Sequence, residues 1–148
     1  MNAITLKNPP AAAVIFGFDT DIVRRDTTRH RGMLLIHCAK EFATRARRWD
    51  LPHEDLRQHA IGLVKLVDVR RRNDGWYQWE FSVPLVFPAP FEMRGHPDVF
   101  DAEATDELIA QVKTAMTPEQ AKAHFRHYEQ LANPDSVHPR RRDGWVGD

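Results

Sequence analysis

The side chains best suited to chemistry gather between Arg24 and Lys40. Arg24, Arg25, Arg29, Arg31 and Lys40 stand there, and basic residues continue through Arg45, Arg47 and Arg48 with only Asp26 and Glu41 opposing them. A guanidinium grips phosphate with two parallel hydrogen bonds and offers a flat face to a base. Thr27 and Thr28 add hydroxyls suited to phosphate or sugar. The segment therefore reads as a basic face for RNA, DNA or a nucleotide-like ligand, with Arg24, Thr28, Arg29, Arg31 and Lys40 as contacts. The competing reading is a solvated charge run in which Arg24 pairs with Asp19, Asp21 or Asp26.

His37 lies inside the apolar run Met33–Ala39. It is either a general acid or ligand contact, or a buried imidazole satisfied by a backbone group. Cys38 follows it, and neighbours on a strand face opposite ways, so the pair makes no Cys-His dyad. Trp76 falls off the alternating face of Tyr77 and Trp79 and is the candidate for stacking on a base. His124 and His127 are three apart, but no carboxylate shares their helical face, so no metal site is expected and no cofactor is implied.

The net charge is zero, which argues against a bulk polyanion binder, yet the charge is polarised. Arginine triplets occur at Arg70–Arg72 and Arg140–Arg142, whereas Asp101 to Asp135 is mostly acidic. One cysteine excludes an internal disulfide framework and a Cys-rich zinc site. No apolar run reaches the length of a membrane span, and Met1–Lys7 lacks a signal-peptide layout. A cytoplasmic protein with no membrane partner is the expectation.

Elements must hold these residues in place. Asn8-Pro9-Pro10, Ala11–Phe16 and Gly17 spell a capped short helix with a glycine stop. Asp21–Arg25 suits a short strand and Met33–Ala39 a central one. Glu41–Asp50 suits a helix with Phe42, Ala46 and Trp49 on one face. Leu51–Gln58 reads as a loop or a single helical turn. Ala60–Val69 and the alternating Tyr77–Val83 form a hairpin about Asn73-Asp74-Gly75. Val86–Glu92 suits a further strand confined by Pro84, Pro88 and Pro90 to an edge. Thr105 caps a helix carrying Leu108, Ile109, Val112 and Met116. Thr117-Pro118-Glu119-Gln120 is a capping box opening another, with Ala121, Phe125, Tyr128 and Leu131 on one face and a stop near Asn133-Pro134. From Ser136 a tail is expected, with Trp145 as its anchor.

Several of these residues fall in an ordered pattern. Pro9, Ala11, Val14 and Gly17 lead to Arg24 and then to Arg31-Gly32. Leu35-Ile36-His37-Cys38-Ala39-Lys40 follows, then Ile61-Gly62-Leu63-Val64-Lys65-Leu66-Val67-Asp68, Trp79, and Pro90 to Gly95. Over roughly residues 4 to 101 the chain resembles the ASCH family of PUA-like domains. The resemblance implies an α+β fold, a PUA-like mixed β-barrel with flanking helices over residues 1–103. Residues 104–148 would form a C-terminal helical pair and tail, packed on or beside the barrel. It implies a cleft that binds RNA or a nucleotide, with His37 lining it. The family hallmark Gly-x-Lys-x-x-Glu-x-Arg reads here Gly17-Phe18-Asp19-Thr20-Asp21-Ile22-Val23-Arg24. Asp19 supplies no amine and Ile22 no polar atom, so the amidohydrolase chemistry of some relatives does not carry over. Catalysis stays open, with His37, Lys40 and Asp19 as its candidates. The alternatives to a binding domain are a nuclease or amidohydrolase acting on RNA or modified nucleosides, and a protein-interaction module built on the C-terminal helices.

Overall fold

The computed structural model describes residues 1–132, and the side chains of residues 1–126. The expectations for Asn133-Pro134, the tail from Ser136, Arg140–Arg142 and Trp145 lie outside the described residues, as do those for the side chains of His127, Tyr128 and Leu131. The chain runs β1 (Asn2–Leu6), α1 (Pro10–Ile15), β2 (Asp21–Arg24), β3 (Gly32–Cys38), β4 (His59–Arg71), β5 (Tyr77–Glu92), β6 (Phe100–Asp101), α2 (Asp106–Thr114) and α3 (Pro118–Ala132). The strands form one six-stranded mixed sheet in the order β2-β5-β4-β3-β1-β6, so the fold is α+β. The sheet is open: β2 and β6 are its two edges.

β1 and β3 are parallel, with Thr5 opposite His37 and Leu6 opposite Cys38. A parallel pair needs a crossover, and α1 lies within it. Ala11, Ala12, Ala13, Val14 and Ile15 are all buried, as an all-apolar short helix must be. Pro9 holds the N-cap position and offers no side-chain bond, and Asn8, expected there, stands one residue earlier and still serves the first turn, its Oδ1 accepting from Ala12 N–H at 3.0 Å. Gly17 takes the left-handed conformation (φ 81°) that ends it. Gly62 marks where α1 presses on the sheet, because a Cβ there would sit 2.8 Å from Ile15 Cγ2 and 2.3 Å from Leu85 O. The main core gathers Ile4, Ile15, Leu34, Ile36, Ile61, Leu66 and Trp79 between sheet and helix.

Two expectations need correction. Glu41–Asp50 forms no helix; residues 39–58 make one long loop between β3 and β4. Its apolar residues are spent on separate anchors rather than on a common face. Phe18 stacks on Trp49 with ring centroids 4.4 Å apart, while Phe42 lies under the Arg57 guanidinium. Val86–Glu92 is the second half of β5 and not a separate strand. The prolines are tolerated there because β2 pairs only with Tyr77–Glu80, so the Pro84–Pro90 half has no strand on its outer flank. That flank instead receives Met116, whose N–H and C=O bond Val86 at 2.9 and 2.7 Å.

The helical pair starts as its caps specify. Thr105 Oγ1 accepts from Leu108 N–H at 3.2 Å. Gln120 N–H donates to Thr117 Oγ1 at 3.2 Å, and Thr117 N–H donates to Gln120 Oε1 at 3.0 Å, closing the capping box. Leu108 and Ala121 are buried against the sheet, so the helices share its core. Among the described residues no helix is long and apolar enough to cross a membrane.

Candidate functional site

The register of β1 and β3 brings their C-terminal ends to one rim of the sheet, where Lys7 and Ala39-Lys40 leave in parallel. Strand ends of this kind are where open α/β sheets hold ligands. The segment after β5 closes the same rim, carrying Arg94, Gly95, His96 and Pro97 over the strand ends. Between them lies a cleft of about 350 Å³. Its wall presents Lys7, Lys40, Arg94 and His96, and no carboxylate lines it.

His37 forms the floor and is 1% exposed. Its Nε2 contacts Met93 O at 2.6 Å, and a carbonyl only accepts, so Nε2 carries the proton. Nδ1 then accepts from the Thr5 hydroxyl at 3.1 Å, and Thr5 Oγ1 accepts in turn from His96 N–H at 3.3 Å. Burial lowers the pKa of His37, partly offset by the Met93 carbonyl, and His59 lowers it further. The imidazole is thus neutral with both nitrogens occupied, the geometry of a structural histidine that fixes the rim. Gly95 lies directly on it: a Cβ there would come 2.6 Å from His37 Cε1 and 2.6 Å from Thr5 Oγ1.

Arg24 is close to this cleft but is not a free cation. Its guanidinium bonds Asp26 through Nε at 2.6 Å and Nη2 at 3.0 Å. It also reaches Thr5 O at 3.4 Å and Pro97 O at 3.3 Å, and lies 5.1 Å from the Trp79 ring centre. Arg24 clamps the closing segment to β1, which makes it a positioning residue for the cleft.

The other sequence-selected residues are dispersed. Thr28 Oγ1 accepts from His30 N–H at 3.1 Å and so shapes a turn. Arg31 caps Thr28 O and His30 O and pairs with Asp68 at 3.7 Å. Arg29 is exposed and forms no ion pair among the described residues. Trp76 sits at the β4–β5 hairpin tip beneath Arg25, whose guanidinium carbon is 4.7 Å from the ring centre. Asp19 borders a separate small depression of about 90 Å³ with Gly17, Thr20 and Ser82. Its carboxyl pKa is raised by burial first and then by Asp21, with Arg47 opposing. Of the residues picked from the sequence, His37 and Lys40 come together in the cleft, with Arg24 behind its wall.

Sequence reasoning missed Lys7, Arg94 and His96. Lys7 had a usable signal, since it stands one residue past a strand parallel to the strand that ends before Lys40. Arg94 and His96 had none beyond the glycine between them. Among the described residues no group of three or more His, Cys, Asp or Glu side chains is placed to hold a metal ion. No known protein-family model matches the chain, and no curated protein matches it.

Proposed function

We propose that the chain is an ASCH-type, PUA-like domain that binds RNA or a nucleotide-like ligand in the cleft at the ends of β1 and β3. One observation carries the reading: Lys7, Lys40, Arg94 and His96 surround a cleft of about 350 Å³ whose lining includes no carboxylate. Such a lining attracts phosphate, and exposed lysine and arginine heads give up little hydration to meet it. The order of elements adds support. Pro9–Gly17 covers α1 and its ends, Leu35–Cys38 lies in β3, Ile61–Asp68 in β4 and Trp79 in β5, while Arg94-Gly95 closes the cleft. The barrel form of the fold belongs to the same proposal. Arg24 and His37 serve here by shaping the cleft, while Lys40 is the contact named from sequence that meets the ligand. Catalysis finds less support, because Asp19 stands apart from His37 and Lys40.

The test is binding of short labelled RNA and of nucleoside monophosphates across a series of salt concentrations. Affinity is expected to fall as salt rises, and Lys40→Ala or Arg94→Ala is expected to lower the slope of log K against log salt by about one each. Binding that ignores salt and both substitutions refutes the proposal.

A further inference from the structure

The loop between β3 and β4 is held more firmly than a connection requires. Its two ends are pinned together by Gln58 N–H donating to Cys38 O at 2.9 Å, and its start is tied to β1 by Ala39 N–H donating to Leu6 O at 2.8 Å. Inside, the fully buried Asn8 amide donates to His53 O and Leu56 O, each at 2.9 Å. The buried Glu54 carboxylate accepts from Trp49 N–H at 2.7 Å and pairs with Arg48 at 3.2 Å. His53 Nε2 donates to Phe87 O at 2.7 Å. Long ordered loops in compact domains are usually functional.

What this one displays is a set of paired aromatics and cations. Arg47 lies 3.8 Å over the Trp49 ring, Trp49 stacks on Phe18, and Arg57 lies 4.5 Å over Phe42. Phe42 and Arg47 line one cavity of about 640 Å³, ample for a nucleobase, and Arg48 and the Asp50 carboxylate share its wall. Arg47 is exposed, with one guanidinium face on the indole and the Asp19 carboxyl within its electrostatic reach. The cavity and the basic cleft are neighbours along the chain, since Lys40 lines the cleft and Phe42, two residues on, lines the cavity. Gln58 and Arg94 belong both to that cleft and to a neighbouring depression of about 420 Å³. Arg57 lines this depression and covers Phe42 at the margin of the larger cavity. Cations thus stand at intervals from Lys40 and Arg94 through Arg57 to Arg47, with the carboxylates of Glu92 and Asp50 beside them.

We infer that this loop is the second part of an extended site for a single-stranded nucleic acid. One nucleotide occupies the cleft, and the following bases stack on the Phe42 face away from Arg57 and on the outer face of the Arg47 guanidinium, with Trp49 and Phe18 as the layers beneath. Aromatic and guanidinium faces accept any base, while the cations follow the backbone. Duplex is excluded because its bases are stacked on one another and have no free faces to offer. The inference rests on the cleft being a nucleotide site.

The experiment compares a nucleoside monophosphate, a short single-stranded RNA, the same sequence as DNA, and duplex RNA, on wild type, Arg47→Ala, Arg47→Lys and Lys40→Ala. The single strand is expected to bind at least ten-fold tighter than the monophosphate and tighter than duplex. Arg47→Ala is expected to lose roughly ten-fold for the strand while leaving the monophosphate unchanged. Arg47→Lys, which keeps the charge without the plane, should recover less than half of that loss in free energy. The DNA arm reports only which sugar is preferred. If the monophosphate binds and the strand binds no tighter, or Arg47→Ala matches wild type on the strand, the extended site is refuted and the cleft stands. If Arg47→Lys equals wild type and duplex binds as well as single strand, the loop contributes charge alone and the stacking is refuted. If neither ligand binds, both readings fall together.

Discussion

Gly95→Ala offers the sharpest test of how the cleft is built. The added methyl would meet His37 Cε1 and Thr5 Oγ1 at 2.6 Å and His37 Nδ1 at 2.7 Å, where about 3.5–4.0 Å is comfortable. Thr5 and His37 cannot recede, because they face each other in the hydrogen-bonded register of β1 and β3. The segment carrying Gly95 must therefore lift by about 1 Å. Lifting weakens the 2.6 Å bond from His37 to Met93 O and the 3.3 Å bond from His96 to Thr5. Overpacking costs about 1–3 kcal/mol, and a buried imidazole N–H without its carbonyl adds about 1–3 kcal/mol. Taking roughly 3 kcal/mol in total, the Tm falls by roughly 6–12 °C for a domain of this size. Thermal unfolding followed by circular dichroism reads this directly. The same variant is expected to bind RNA more weakly, since Arg94 and His96 ride on the displaced segment. Lys40→Ala separates the two effects, because this exposed residue should weaken binding with the Tm unchanged. A Gly95→Ala protein with wild-type Tm and affinity would show that the His37–Thr5–Gly95 packing does not shape the cleft.

Two further outcomes concern the loop. Asn8→Ala removes the first-turn acceptor of α1 and orphans the carbonyls of His53 and Leu56, so a loss of roughly 3 kcal/mol is expected in urea unfolding, with Asn8→Asp recovering that acceptor but not the two donors. His53 has its pKa lowered to about 4, by burial first, partly offset by the Phe87 carbonyl and lowered further by His59. Between about pH 6.5 and 4 the unfolded chain therefore binds a proton that the folded chain refuses. Stability should fall through that window by roughly 3 kcal/mol and level off below it. His53→Gln should flatten the slope; an equal slope in that variant would assign the pH dependence to other groups.

The elements that the sequence displays well are those whose signals are local. Asn8 and Gly17 bracket α1, Thr105 and Thr117 open α2 and α3, and Gly75 turns the β4–β5 hairpin; each works through a bond to a residue at most four positions away. The loop at residues 39–58 defeats the same approach. Phe42, Ala46 and Trp49 have helical spacing, but their partners are Arg57 and Phe18, remote in the chain, and Asn8 and Glu54 supply hydrogen bonds that a helix would otherwise provide. The site shows the same division. His37 and Lys40 are visible because they flank a strand, while Lys7 and Arg94 join them only through the parallel pairing of β1 with β3 and the return of the chain after β5.

That division bears on how basic residues should be weighed. Within the richest cluster in the sequence, Arg24 to Arg31, the two best-placed arginines are engaged within the fold. Arg24 is held by Asp26, and Arg31 by Asp68 and two carbonyls; further along, Arg70 pairs with Glu80 and Arg72 with Asp74. A guanidinium already bridged to a carboxylate gains little from phosphate, because it must surrender one anion to meet another. Lys7, Lys40 and Arg94 are exposed, and none holds an ion pair among the described residues. They stand alone in the sequence and together in the fold. A chain of zero net charge can thus carry a phosphate-seeking site, because Asp26 holds the arginine behind the wall while Lys7, Lys40 and Arg94 meet at the strand ends with no carboxylate in the lining.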